Sequence, residues 1–271
     1  MPTAVLLVAF LLGIAVGSFL NVVVYRLPKG KSALWPPSHC PRCRRPLTWR
    51  DNIPVLGWLI LQGRCRYCDG RISPRYPIVE LTTGLLFMLV AWRFDQPLAI
   101  LGYCGLMSWL LALSLIDLDT MRLPNALTQS GLIAGLMFSS GLGWIESGGV
   151  APQQFVAQRL VASMLAAVIG LWLFEGIAFA ASICFGQTAM GGGDAKLAAM
   201  LGAWLGWPLL LLATFLACTM GALFGTLGLT LGLIQRRQAI PFGPFLALGA
   251  VVATLVGSLL ISTYVDWFWP V

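Results

Sequence analysis

The sequence predicts an all-α polytopic membrane protein of about eight transmembrane helices with one small polar domain, and three observations carry that expectation. Hydrophobic residues make up 58% of the 271 and charged residues only 10%, against roughly 45–50% and 25% in ordinary globular chains. Several apolar runs reach or approach the roughly 20 residues that cross a bilayer as a helix. They are continuous rather than alternating, which favours helices over a barrel. The third observation is where the formal charge of +7 resides. Arg26, Lys29, Lys31, Arg42, Arg44, Arg45, Arg50, Arg64, Arg66, Arg71 and Arg75 are 11 of the 17 basic residues, all within one short stretch. Beside a span, such a patch marks the cytoplasmic side and meets anionic lipid head groups. Membrane lipids are therefore the expected partner, and nucleic acid is not.

Each element follows in order. Residues 4–25 form the first span, with no positive charge before the apolar run and many after it. That is the reverse of a secretory signal, so the segment is expected to be retained with its N-terminus outside. Residues 26–76 form a polar, Pro-rich, Cys-containing cytoplasmic domain, and 77–271 a transmembrane bundle. Its spans are expected at about 77–92, 97–116, 124–142, 159–183, 194–206, 208–234 and 242–265, with a break at Trp207-Pro208. Charge tests the count. Eight spans put Arg122, Lys196, Arg236 and Arg237 inside and leave only Arg93 and Arg159 outside; one missed span would spoil the asymmetry. Both termini are then periplasmic, with Trp267 and Trp269 at the outer interface. Gly131-x-x-x-Gly135 and Gly221-x-x-x-Gly225 allow close helix approach, within one chain or between two; the oligomeric state is not readable.

Cys40-Pro-Arg-Cys43 and Cys65-Arg-Tyr-Cys68 are two knuckles. Two residues between thiols let both sulfurs turn to one ion, and two knuckles complete a four-thiolate Zn²⁺ site. A disulfide pair is the alternative, disfavoured in a reducing cytoplasm. With no open coordination position the zinc is structural, a staple for a domain too small for a large core. Gly70 can relax the backbone after the second knuckle, and Arg42, Arg44, Arg64 and Arg66 can offset the thiolate charge. His39 is a bystander, and Cys104, Cys184 and Cys218 are packing residues.

Carboxylates near a membrane demand a reason. Asp117 and Asp119 close the third span, while Asp194 follows Gly191-Gly192-Gly193 at the start of the sixth. The topology brings all three to the cytoplasmic face. Two close carboxylates suit amide hydrolysis without metal, because they resist ionising together and share a proton. Asp117 and Asp119 point about 200° apart on a helix, so at most one faces Asp194, and spacing does not choose between them. The bland alternatives are a helix cap for Asp194 and interfacial charges for the other two. Glu175, inside the fifth span, has no assigned role. An ion path through these acids, as in a proton-coupled transporter, lacks the internal repeat it would call for.

Further segments carry a resemblance: Gly17-Ser-Phe-Leu-Asn21 through Arg26-Leu-Pro28, both knuckles, Ser73 through Glu80 to Gly84, Asp117-Leu-Asp119 with Leu123-Pro124-Asn125, Gly191-Gly-Gly-Asp194-Ala-Lys196, and Pro241-Phe-Gly-Pro-Phe. In this order they resemble the type IV prepilin leader peptidase/N-methyltransferase family of intramembrane aspartyl peptidases. The resemblance implies that Asp117 and Asp194 are catalytic and selects Asp117 over Asp119. It implies an inner-membrane enzyme that cuts type IV prepilins and type II secretion pseudopilins after a Gly, on the cytoplasmic side. It also implies methylation of the new N-terminal amine from S-adenosylmethionine; a peptidase alone is the alternative. No Gly-x-Gly-x-x-Gly loop carries that cofactor. Asn21, Arg26 and Glu80 are the candidates for it, although for Glu80 a structural ion pair with Arg75 or Arg26 is the favoured reading.

Overall fold

The computed structural model describes residues 2–185, 191–233, 235 and 240–268, without the side chains of Ala181, Cys184 and Phe185. Arg236, Arg237 and Trp269, assigned above to the two interfaces, lie outside the described residues. The described chain is all-helical: α1 (Thr3–Arg26), the short α2 (Leu56–Ile60), α3 (Arg75–Arg93), α4 (Pro97–Thr120), α5 (Asn125–Glu146), α6 (Pro152–Phe185), α7 (Gly192–Thr230) and α8 (Gly243–Phe268). Five segments are long and apolar enough to cross a membrane: Thr3–Lys29, Pro97–Thr120, Pro152–Ala180, Gly192–Thr230 and Gly243–Phe268. This composition makes the chain a polytopic membrane protein.

Two expected spans, 77–92 and 124–142, are indeed helices (α3 and α5) but stand outside those five. Their polarity is the reason. α3 carries Arg75, Glu80 and Arg93, and α5 carries Asn125, Gln129, three serines and Glu146. The expected break in the 194–234 region lies one residue earlier than Trp207: Gly206 has φ 74° and ψ 168° inside α7. Glycine tolerates that conformation, and Pro208 just beyond could not have continued a regular helix over the preceding turn.

The chain divides into two compact units, residues 1–112 and 113–271. In the first, α1 lies tightly on α3. A Cβ on Gly13 would come within 2.7 Å of Gly84 Cα, and one on Gly17 within 2.8 Å of Glu80 Cα. In the second, α7 packs against α5, α6 and α8, and α5 against α6. Both small-residue motifs here serve packing within the chain. Met200 and Trp204 of α7 sit over Gly131 and Gly135, and Phe242 and Phe245 approach Gly221. Trp204 Nε1 donates to Gly131 O at 2.8 Å, and Ser139 Oγ to Ala203 O at 2.9 Å. Groups that lipid could not satisfy are thus paired between helices.

Candidate active site and metal centre

In the first unit the knuckles are built alike. Arg44 N donates to Cys40 O at 2.9 Å and Cys40 N to Arg45 O at 2.9 Å; Asp69 N donates to Cys65 O at 3.0 Å and Cys65 N to Gly70 O at 2.9 Å. The residue that turns left-handed is the one after each second cysteine, Arg44 (φ 58°) and Asp69 (φ 50°). Gly70 therefore does not supply the turn expected of it. Its bare Cα is needed for space, since a Cβ there would lie 3.0 Å from Arg42 Cδ and 3.3 Å from Cys68 Sγ.

The four Sγ atoms lie within 4.8 Å of one another, with Cys40–Cys68 at 3.8 Å and Cys43–Cys65 at 4.0 Å. Four sulfurs at about 2.3 Å from a tetrahedral Zn²⁺ stand about 3.8 Å apart, so the donor set fits a metal ion. The Cys40 thiol is pushed down to about 6, chiefly by the Cys43 amide, whereas at Cys68 the Gly70 amide is outweighed by burial and the neighbouring sulfurs, which push it up to about 11. Crowded sulfurs thus cannot all ionise by themselves, and binding a metal must release protons. His39 bonds to Pro37 O at 3.1 Å and takes no part in the cluster.

Arg66 has a carboxylate partner that the sequence reading did not foresee. Its Nη2 and Nε donate to Asp51 Oδ1 at 2.6 and 3.0 Å, and Thr48 Oγ1 donates to Asp51 Oδ2 at 2.8 Å. The Arg66 guanidinium holds the Asp51 carboxyl below the ordinary carboxylate range. The clamp fixes the residue between Cys65 and Cys68 to the loop before α2.

The three cofactor candidates have structural partners. Asn21 Nδ2 donates to Tyr76 O at 3.1 Å, and the buried Arg26 donates through Nη1 to Ser32 O at 3.3 Å. Glu80 Oε2 accepts from Val55 N at 2.7 Å, where Val55 stands at φ 61° ahead of α2. Glu80 thus meets a backbone donor where the sequence suggested Arg26 or Arg75.

In the second unit, Asp117 is buried in the last turns of α4 and Asp194 in the first turn of α7. Both line one pocket of about 330 Å³, together with Gly191 to Gly193, Arg122 and Lys196. Exposed Asp119 does not line it, which is the choice that helical spacing had left open. Asp194 is not the helix cap. Gly191 holds that position, and its O accepts from Asp194 N at 3.2 Å. A Cβ on Gly192 would meet nothing within 4 Å, so the glycines leave the pocket mouth bare; only Gly193 is closely packed, on Leu123. Lys196 Nζ donates to Asn125 Oδ1 at 2.7 Å, tying α7 to the start of α5.

Two partners escaped sequence reasoning. Gly243 N donates to Asp117 Oδ2 at 3.0 Å, and the only hint was the Pro-Phe-Gly-Pro segment. The Lys196–Asn125 bond had no signal beyond the presence of both residues in motifs. Glu175 is exposed on α6 and does not line the pocket.

Comparison with known proteins agrees with this two-part layout. A family model described as the bacterial peptidase A24 N-terminal domain matches residues 11–94, and one described as the type IV leader peptidase family matches residues 104–226. A Stutzerimonas stutzeri protein named prepilin leader peptidase/N-methyltransferase is 37% identical, covering 98% of this chain and 96% of its own. Proteins of the same name from Pseudomonas aeruginosa (37%, covering 98% and 95%) and Klebsiella pneumoniae (42%, covering 74% and 85%) are also similar. No solved structure matches. Similarity at this level across almost the whole of both chains, with the two family models in order along the sequence, establishes that the chain belongs to the type IV leader peptidase family.

Proposed function

We propose that this protein removes the leader peptide of type IV prepilins and type II secretion pseudopilins, then methylates the new N-terminal amine with S-adenosylmethionine. The observation that carries the reading is the meeting of Asp117 and Asp194, 77 positions apart, in one pocket of a chain with prepilin-peptidase relatives. Both activities stand in the relatives' names, which favours the bifunctional reading over a peptidase alone or a transporter.

In the proposed reaction one carboxylate takes a proton from water as its oxygen attacks the scissile carbonyl carbon. The other, protonated, donates to the carbonyl oxygen. Collapse of the tetrahedral intermediate breaks the C–N bond, and the leaving amine takes up a proton. Gly191 and Gly192 let an extended peptide pass close to Asp194. The bundle supplies eight spans if α3 and α5 also cross and Gly206 divides α7 into two. Residues 1–25, 26–76 and 77–271 are then first span, cytoplasmic zinc domain and peptidase bundle, with both termini periplasmic in the inner membrane. Zn²⁺ would be held by Cys40, Cys43, Cys65 and Cys68 as a structural ion. Asn21, Arg26 and Glu80 remain the candidates for methyl transfer. Purified protein with a prepilin tests the peptidase. Asp117→Asn and Asp194→Asn should each abolish cleavage while Asp119→Asn keeps it, and full cleavage by either of the first two would refute the pair.

A further inference from the structure

We infer that Gly243 is a positioning residue of the peptidase site: its amide holds the Asp117 carboxylate in place through one oxygen and favours its ionised form, the form that takes the water proton. This rests on the reading of Asp117 and Asp194 as the catalytic pair. Gly243 opens α8, and the first N–H groups of a helix have no partner within it. Pro244 has no N–H at all. The Gly243 N–H is instead spent on Asp117 Oδ2, at 3.0 Å and buried. An N–H donor meets a lone pair, and a hydrogen bond to a charged acceptor is stronger than one to its neutral form, so the bond favours the ionised carboxylate that a base must be. The positive end of the α8 dipole favours negative charge at the same place.

The fit also demands glycine, for reasons unrelated to its backbone freedom. A Cβ at 243 would lie 2.6 Å from Asp117 Oδ2 and 3.2 Å from its Cγ. Any side chain must push the carboxylate out of its place. Gly243 therefore does two things at once: it donates the bond, and it leaves room for the acceptor to come within reach. Asp117 stands at the end of α4, whereas Asp194, on the same pocket, lies in the first turn of a different helix, α7. The amide bond to Asp117 favours its charged form, which assigns it the role of base.

Two variants separate the bond from the space. Gly243→Ala should lower kcat for prepilin cleavage about a hundredfold or more, with KM within about threefold. Gly221→Ala controls for the loss of a glycine nearby, because its Cβ would stand 3.7 Å or more from the Phe242 and Phe245 rings; it should keep both constants. Should Gly243→Ala fail to fold, replacing Gly243 by glycolic acid turns the 242–243 amide into an ester. The donor is then gone and no atom is added. A hydrogen bond to a charged group is worth about ten- to a hundredfold, so kcat should fall by that much at unchanged KM, with detergent elution and thermal midpoint as in the parent. An ester variant with parental kcat overturns the inference, as does a fall confined to KM. Parental activity in Asp117→Asn would instead remove the reading on which it rests, and the two failures are told apart by which variant stays active.

Discussion

The cysteine domain and the carboxylate pocket are both small polar centres in an apolar chain, yet they are held in opposite ways. The cysteine centre is made of neighbours in sequence. Its ligands come from two near-identical turns, its second knuckle is clamped by Asp51 to Arg66, and the first cysteine of each knuckle is buried while the second is half-exposed. The carboxylate centre is made of strangers: Asp117, Asp194 and Gly243 come from three helices and meet through one backbone amide and bare glycines. A loop domain can be stapled from within by a metal. A membrane site can be held only by helix ends that fit one another. Damage to the first should therefore act through folding of the loop, and damage to the second through chemistry.

The largest expected effect breaks the second centre alone. Asp194→Asn should lower prepilin cleavage by about a thousandfold or more, since loss of one member of an acid–base pair removes most of what the pair does. Methylation of an already cleaved pilin should persist in that variant, as read by mass spectrometry of the pilin N-terminus. Next comes the first centre. Cys40→Ser with Cys65→Ser should abolish metal binding, read as zinc per chain, and make residues 30–74 open to limited proteolysis. Cleavage should fall far less than in Asp194→Asn; an equal loss would show that the two centres are not separable. Smaller again is packing. Gly135→Ala would put a Cβ 2.6 Å from Trp204 Cδ1, an overpacking worth about 1–3 kcal/mol, seen as a lower thermal midpoint with metal content unchanged.

The same contrast explains what could be read before the structure. The knuckles were legible because ligand spacing is local: two residues between thiols set the geometry whatever surrounds them. The helices were legible from apolar length, and even the break near Pro208 lay within one residue of Gly206. Gly243 was not legible, because nothing in a Pro-Phe-Gly-Pro string says which side chain, 126 positions away, will lie against its amide. The partner of Arg66 was hidden for a related reason. Charge beside a metal site suggested compensation, and only the fold revealed its bond to a buried carboxylate, Asp51. Asp119 shows the intermediate case, in which spacing narrowed the choice to one of two and only the pocket wall decided it.

The smallest effect sharpens the comparison by pH. Asp51 has a folded carboxyl held below its ordinary range by Arg66 first and by Thr48 in addition. A depressed carboxylate contributes stability that is fully present above its unfolded value, about 3.9, and is lost as pH falls through the lower folded value. Asp51→Asn should therefore be less stable than the parent at neutral pH, with the gap constant down to about pH 4 and closing below it. Acid also releases metal from thiolates, but it does so in both proteins, and the difference between them isolates the Asp51–Arg66 clamp. Hydrogen exchange of residues 48–66 measures it at the right place. A gap that stayed open at the lowest pH would mean that Asp51 acts through shape and its bond to Thr48 rather than through charge.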